Sequence, residues 1–334
     1  MNSKHLLLAS AAILSLAACN KTVTEPVQSQ FPEDGVMRFT TNLVDPTAVT
    51  TRASITGSDV NQNGQQFQVK IVNPTSATYS YFNTVQHDGS EWTPVNRMLW
   101  QNDQQSITVT AAYKQGKTFS DYDFIVGANL TVAADQSTEA KLKQQDLLTM
   151  PTKTIANPSQ EQTLMQNGKL VINFYHALTK LDVTLELKDE FYPANIQASD
   201  ITEFTIKGTN AGYQFNAMET ANENYGTVTV TASTAADILA NQYNFTAGTA
   251  ESKHSTAKYE AIIVPQTIAA GQLTVSFKIG NRSYSWTNTQ AYTLEQGKQY
   301  TLPLTVGDDG VTAGSRAFTA SNWENGIGGN LVTE

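Results

Sequence analysis

The side chains with chemical reach are few and scattered. Beyond the amino-terminal run the histidines are His87, His176 and His254, and no His-x-x-x-His or Glu-x-x-His spacing joins any of them to a second ligand. No pair is therefore placed to hold a metal from one face of a helix. Asp121 with Asp123, and Asp308 with Asp309, are carboxylate pairs of the kind that calcium binding or glycoside cleavage uses. Close spacing in sequence is equally that of solvated turns, which is the expectation for both. Trp92, Trp100, Trp286 and Trp323 could stack on sugars, but the same residue type fills the cores of β-proteins, and a core position is expected for them. His176 follows Leu170, Ile172 and Phe174 at alternate positions, which predicts a hydrogen-bonded core histidine rather than a catalytic base. No nucleophile elbow, phosphate-binding glycine loop or dinucleotide fingerprint is present. Neither an enzyme nor a bound cofactor is expected.

The single cysteine, Cys19, excludes an intramolecular disulfide framework and any cysteine-rich zinc or iron–sulfur site. Its chemistry lies in its position. Lys4 and His5 precede an apolar run from Leu6 to Leu16, too short to span a bilayer but suited to the hydrophobic region of a secretory signal. The run ends in Leu16-Ala17-Ala18-Cys19, which resembles a bacterial lipobox. In that pattern the cysteine thiol carries diacylglycerol and the freed amino group is acylated after cleavage. Acyl chains bind at roughly 0.8 kcal/mol per buried CH₂, so Cys19 is the expected lipidation site and membrane lipid an expected partner. From Asn20 to Gln30 the chain is polar, contains Pro26 and has no periodicity, as a tether would.

The elements that must carry any function are strands. At 334 residues the chain is long enough for two domains, and 40% hydrophobic content with 9% aromatics is too rich for a disordered polymer. A net charge of -9 argues against a nucleic-acid partner. Apolar residues recur with period two in Phe67-Val69-Ile71, Ile107-Val109-Ala111, Leu181-Val183-Leu185-Leu187, Leu273-Val275-Phe277-Ile279 and Tyr300-Leu302-Leu304-Val306. Such strands bury one face and wet the other, as in antiparallel sheets packed face to face. Asp88-Gly89 and Gly280-Asn281 predict hairpins. Two short helices are predicted, Ser137 to Leu148 and Ala235 to Tyr243. Pro151 to Gly168 is polar, carries no strand signal and is the expected domain boundary. Val36 to Val44 alternates Met37, Phe39, Thr41 and Leu43 against Arg38, Thr40 and Asn42, and reads as a strand.

Four segments together resemble the fimbrillin family of type V pilus subunit precursors. They are Asp146-Leu147-Leu148, then Phe174-Tyr175-His176-Ala177-Leu178-Thr179-Lys180-Leu181, then Ile262-Ile263-Val264-Pro265-Gln266 through Gly297-Lys298-Gln299-Tyr300, and finally Trp323-Glu324-Asn325-Gly326. The resemblance implies an all-β fold of two transthyretin-like antiparallel β-sandwich domains in tandem. On that reading, residues 1–19 are the lipoprotein signal peptide, 20–165 the first domain with a propeptide to about Arg52, and 166–334 the second domain with a donor-strand tail. It also implies an outer-membrane precursor that a trypsin-like protease cuts outside the cell, here between Arg52 and Ala53. The segment before that cut would be a plug strand presenting Met37, Phe39 and Leu43. Once it left, its groove would accept a strand from another pilus subunit, with Ile327 and Leu331 of the carboxyl-terminal tail as donor residues. A joint of this kind does not close on itself and so builds a filament. Residues 1–52 carry Lys4, Lys21, Arg38 and Arg52 against Glu25, Glu33, Asp34 and Asp45, so their loss leaves the charge unchanged. A host protein or glycan is a further partner implied for such a surface structure. The competing readings are an anchored lipoprotein that binds glycans through exposed aromatics, and a lipid-anchored glycosidase.

Overall fold

The computed structural model describes residues 31–43, 55–116, 125, 127–220, 225–231, 235–313 and 319–323. Strands dominate, because β-branched and aromatic residues alternate with Thr, Gln, Lys and Ser through most of the chain. In the first half, β1 (Phe39–Leu43) is followed by the single helical turn α1 (Gly57–Val60). Then come β2 (Gln66–Val72), β3 (Tyr81–His87), β4 (Trp92–Pro94), β5 (Ile107–Lys114), β6 (Ala128–Thr131), α2 (Glu139–Lys143), β7 (Leu147–Ile155), β8 (Met165–Gln166) and β9 (Lys169–His176). The pairing order β1-β4-β3-β2-β5-β7-β9 returns to β1, which lies parallel to β9, so these strands form a closed ring. Inside it Met37, Phe39, Phe67, Val69, Val109, Leu148, Leu170, Ile172 and Phe174 make one core.

The second half holds β10 (Thr179–Leu187), β11 (Ile201–Asn210), β12 (Gly212–Thr220), β13 (Gly226–Val230), β14 (Ala235–Leu239), β15 (Asn241–Thr246) and β16 (Ser255–Ile263). They are followed by β17 (Gln266–Ile268), β18 (Thr274–Ile279), β19 (Arg282–Thr287), β20 (Tyr292–Leu294), β21 (Lys298–Gly307), β22 (Gly310–Ala313) and β23 (Thr319–Asn322). One sheet runs β15-β16-β10-β21, with β22 and β23 both on the free side of β21; another runs β14-β11-β18-β19. Leu181, Val183 and Leu185 from the first sheet meet Phe204, Ile206, Val275 and Phe277 from the second in a separate core.

A third cluster joins the halves. The sheet β13-β12-β6 pairs Gly212 to Phe215 with Thr131 to Ala128 across them, and Tyr213, Phe215, Leu147, Leu178, Ile262 and Trp323 fill the space between. The Gln136 side chain acts as a short extra strand there: it accepts from Ile262 N and donates to Ile262 O, both at 2.8 Å. Gly297, at φ +65, approaches Tyr225 so closely that a Cβ would lie 2.0 Å from the phenol oxygen, so only glycine fits.

Both predicted hairpins are present, β3 to β4 around Asp88-Gly89 and β18 to β19 around Gly280-Asn281. The helix expected over Ser137 to Leu148 shrinks to α2, capped by Thr138, whose hydroxyl accepts from Lys141 N. Ala235 to Tyr243 is not helical. Its helix-favouring residues are drawn into β14 and β15 because pairing with β11 and β16 buries Ile238 completely, and tertiary burial outweighs a few tenths of a kcal/mol of propensity per residue. The polar stretch from Pro151 continues β7 as far as Ile155. Pro151 falls where the β5–β7 register shifts between Val109 and Ala111, a bulge that needs no proline N–H.

Lys180, on β10, is almost fully buried and its Nζ lies 2.6 Å from Glu260 Oε2 on β16. Removing one member of such a pair leaves a desolvated charge. Lys180→Met is expected to lower unfolding free energy by about 3 to 5 kcal/mol in urea titration, and Lys180→Met with Glu260→Leu to recover most of it.

Candidate functional site

The segment expected to be a plug strand forms β1 and the residues just before it, paired into the first sheet. Before β1, Met37 N donates to Met98 O, and Trp100 N donates to Gly35 O, each within 3.0 Å. Phe39 then pairs with Trp92 of β4, while Phe39 to Leu43 runs in register with Leu170 to Phe174 of β9. The segment is thus hydrogen-bonded along both sides. Met37 and Phe39 are each 1% exposed, and Leu43 packs against the same core while half-buried. Phe39 meets Phe67 edge-to-face at 6.0 Å, and Phe67 in turn touches Trp92 and Phe174. Burying these three side chains contributes about 4 to 7 kcal/mol gross.

The outer face of β1 is polar. Asn42 Nδ2 donates to Asn173 Oδ1 across the β9 pairing at 3.2 Å. Arg38 and Asp34 form a fork of 2.6 and 2.9 Å in solvent. The Arg38 hydrogen bond, followed by the Val36 amide, holds the Asp34 carboxyl well below the usual range. An exposed pair of this kind contributes little to stability.

The chain resumes after the expected cut with its own anchor. Ile55 is fully buried in the ring core, and Thr56 caps α1 in a reciprocal box with Asp59. Asp59 Oδ1 also accepts from Lys143 Nζ at 3.0 Å, which ties α1 to α2. Burial raises the Asp59 pKa, but the hydrogen bonds from Thr56 and Lys143 outweigh it and the net shift is downward. Arg52 and Ala53 themselves lie outside the described residues, as do Cys19, Ile327 and Leu331. The helix after the expected cut keeps its own cap and its tie to α2, while Phe39 and Ile55 share one core and Thr41 reaches Asn61 at the end of α1.

Three of the sequence segments singled out above converge elsewhere, at the join between the halves. Asp146 Oδ2 lies 2.8 Å from His176 Nδ1, both fully buried, and the Trp323 ring stacks on His176 at 4.1 Å with planes 7° apart. Gly297 O accepts from Trp323 N at 2.8 Å, so the remaining segment, the third in sequence order, closes the same site. Burial first, and then the Asp146 charge, push the nearby Tyr213 phenol up. His176 is a structural histidine. All four tryptophans are buried, so none offers a sugar-stacking face. Asp308 pairs with Arg282 in solvent, Asp121 and Asp123 lie outside the described residues, and among the described residues no group of three His, Cys, Asp or Glu side chains is arranged to hold a metal ion. His254 sits between Glu186 and Asp189, 2.7 Å from each, and the Glu186 hydrogen bond foremost raises its pKa.

A family model described as fimbrillin-like matches residues 51–323. The chain belongs to the fimbrillin-like family. It is a family of structural fimbrial and adhesion proteins, not of enzymes. No curated protein matches the chain. Among solved structures, a candidate cell adhesion protein from Bacteroides uniformis superposes with a TM-score of 0.56 at 16% identity, over 87% of this chain and 99% of that one. A second, from Bacteroides ovatus, gives 0.55 at 16% identity, over 90% and 98%. At such identity the likeness is one of fold. Among the described residues of this fimbrillin-like chain no helix is long and apolar enough to cross a membrane.

The sequence pointed to Met37, Phe39 and Leu43 but not to the polar contacts of Thr41, which the alternation merely places inside. The Thr56-x-x-Asp59 spacing is a cap signal legible in the sequence. Because the folded-state pKa of Asp59 is depressed, its stabilisation is present above the unfolded value near 4 and lost as pH falls through the folded value. Hydrogen-exchange protection of amides 57–61 is expected to fall below about pH 4, and Asp59→Asn to remove that dependence. Phe39→Ala should cost about 3 to 5 kcal/mol in denaturant unfolding, against under about 1 kcal/mol for Arg38→Ala.

Proposed function

We propose that this fimbrillin-like chain is a structural subunit of a cell-surface pilus that polymerises by strand exchange. It is exported as a lipoprotein precursor, held in the outer membrane through acylated Cys19, and released by a trypsin-like protease that cuts between Arg52 and Ala53. One observation carries the reading: β1 fills a full place in the first sheet, flanked by β9 and β4, and with the residues just before it contributes Met37 and Phe39 to the core. A strand seated this way leaves two unpaired edges and two apolar pockets when it departs. The separate anchoring of Ile55 and α1 supports a cut that spares the remaining fold.

The incoming strand comes from another subunit, with Ile327 and Leu331 of its tail as donor residues, and a heterologous contact of that kind extends into a fibre. Two domains in tandem, each related to the transthyretin-like sandwich, are supported by the two separate cores. The first core gathers residues from Met37 to Phe174, so the division we favour falls after β9 rather than within 151–168. The pilus would present the chain to a host protein or glycan. Anchored glycan binding through exposed aromatics loses its support, since the four tryptophans are interior.

Amino-terminal sequencing of protein from intact cells tests the central step: Ala53 is the expected first residue, and a retained acylated Cys19 refutes release. Arg52→Ala should leave a folded, lipidated monomer, so normal filaments from that variant would refute the trigger. Deleting Gly328 to Glu334 should preserve folding and shorten filaments seen by electron microscopy. Unchanged length would place the donor elsewhere.

A further inference from the structure

The buried face of β1 is not uniformly apolar. Between Phe39 and Leu43 stands Thr41, only 8% exposed. Its hydroxyl donates to Asn61 Oδ1 at 2.7 Å, the Trp92 indole N–H donates to the same Asn61 oxygen at 2.8 Å, and Trp92 Nε1 lies 3.2 Å from Thr41 Oγ1. The three groups form a closed triangle. Asn61 is fixed within it because its amide donates to Gly57 O at 2.9 Å, at the end of α1.

Asn61 and Trp92 lie after the proposed cut and stay with the subunit, whereas Thr41 leaves with the plug. The geometry points to Asn61 and Trp92 as a hydroxyl-reading pair that determines which strand, and which register, the groove accepts. This inference rests on the strand-exchange reading. Apolar pockets alone define register poorly, since sliding a strand by two residues returns the same face to the core. A hydroxyl position removes that ambiguity. After a two-residue slip an apolar side chain would face Asn61 and Trp92, and the hydroxyl would enter the place built for Phe39 or for Leu43, where it finds no partner. The preferred occupant therefore reads apolar, large apolar, then Ser or Thr at alternate positions.

The carboxyl-terminal stretch of a second copy contains one frame that matches the last two of these positions, Leu331 and Thr333 in the places of Phe39 and Thr41, with Gly329 leaving the Met37 pocket unfilled. The neighbouring frame sets Ile327 and Gly329 in the two pockets and Leu331 against Asn61, and is disfavoured. The inferred contact is thus Thr333 of one copy on Asn61 and Trp92 of the next.

The test uses the full-length protein cleaved after Arg52 by limited trypsin treatment. Fluorescent peptides copying residues 34–44 and 325–334 are exchanged for the plug, each with its Thr41 or Thr333 kept or replaced by Ser or Val. Serine is expected to bind within about twofold of threonine, and valine about fivefold more weakly, the size of one net hydrogen bond. In Asn61→Leu/Trp92→Phe protein the threonine preference should vanish. A second measurement avoids dependence on that variant's folding: uncleaved Thr41→Val protein should lose about fivefold hydrogen-exchange protection over residues 39–43 while Thr41→Ser does not. Equal binding of valine and threonine peptides would overturn the hydroxyl reading and leave strand exchange standing. Discrimination by the 34–44 peptides but not the 325–334 peptides would overturn the Thr333 frame. Failure of every peptide to enter would overturn this inference and the strand-exchange reading together.

Discussion

The backbone of β9 imposes the constraint on which the first half depends. One side of this strand is shared between β7 and β8, and the other would be bare were β1 not paired along it from Phe39 to Leu43. Unpaired backbone donors and acceptors beside a hydrophobic interior are costly, and sheets with such edges recruit strands. The ring is therefore complete only through a segment that reaches it from before the break in the described chain at residues 44–54. The contacts that hold it, two ladders and two deep side chains, are the same in kind as those of any other strand in the sheet. Its distinction is topological: it reaches the ring from the amino-terminal side of residues 44–54, and its pairing, its core side chains and the Thr41–Asn61 hydrogen bond join it to the residues that follow.

The join between the halves solves a different problem. Two cores built from separate sheets must be held in one relation, and this chain does so with a buried cluster rather than a thin linker. Asp146 fixes His176, Trp323 stacks on the imidazole, and Gly297 takes the Trp323 amide. Residues spread over more than half of the sequence meet there, beside the buried Lys180–Glu260 pair that ties β10 to β16. The geometry gives the Phe-x-His-x-Leu-x-Lys-Leu pattern its physical meaning: the histidine belongs to the join, and the lysine to the second half.

Much of the architecture was legible before any coordinates. Period-two alternation located the strands of both cores, Asp88-Gly89 and Gly280-Asn281 located hairpins, and the inward positions of Phe39 on β1 and of Met37 just before it followed from alternation alone. The misses share a cause. Ala235 to Tyr243 has helix-forming composition, and only the neighbouring β11 and β16 make strands of it; the stretch from Pro151 carries no strand signal, and only the bulge opposite Val109 and Ala111 lets it continue β7. Thr41 was visible as an inward position, but its partner Asn61 is twenty residues away and its other neighbour, Trp92, farther still.

By itself the sequence determined that this protein is built of half-buried strands, that it holds a single cysteine and so no disulfide framework, and that no familiar catalytic motif is present. Those properties reside in neighbouring residues, where periodicity, cap chemistry and motif spacing act directly. Only the tertiary structure decided that β1 lies parallel to β9 and closes the ring, that Asp146, His176 and Trp323 share one site, and that a threonine hydroxyl sits among aromatic rings. Each of these joins residues distant along the chain. Such pairings are selected by the summed burial of whole sheet faces and by the need to satisfy every buried polar group, which no local pattern encodes.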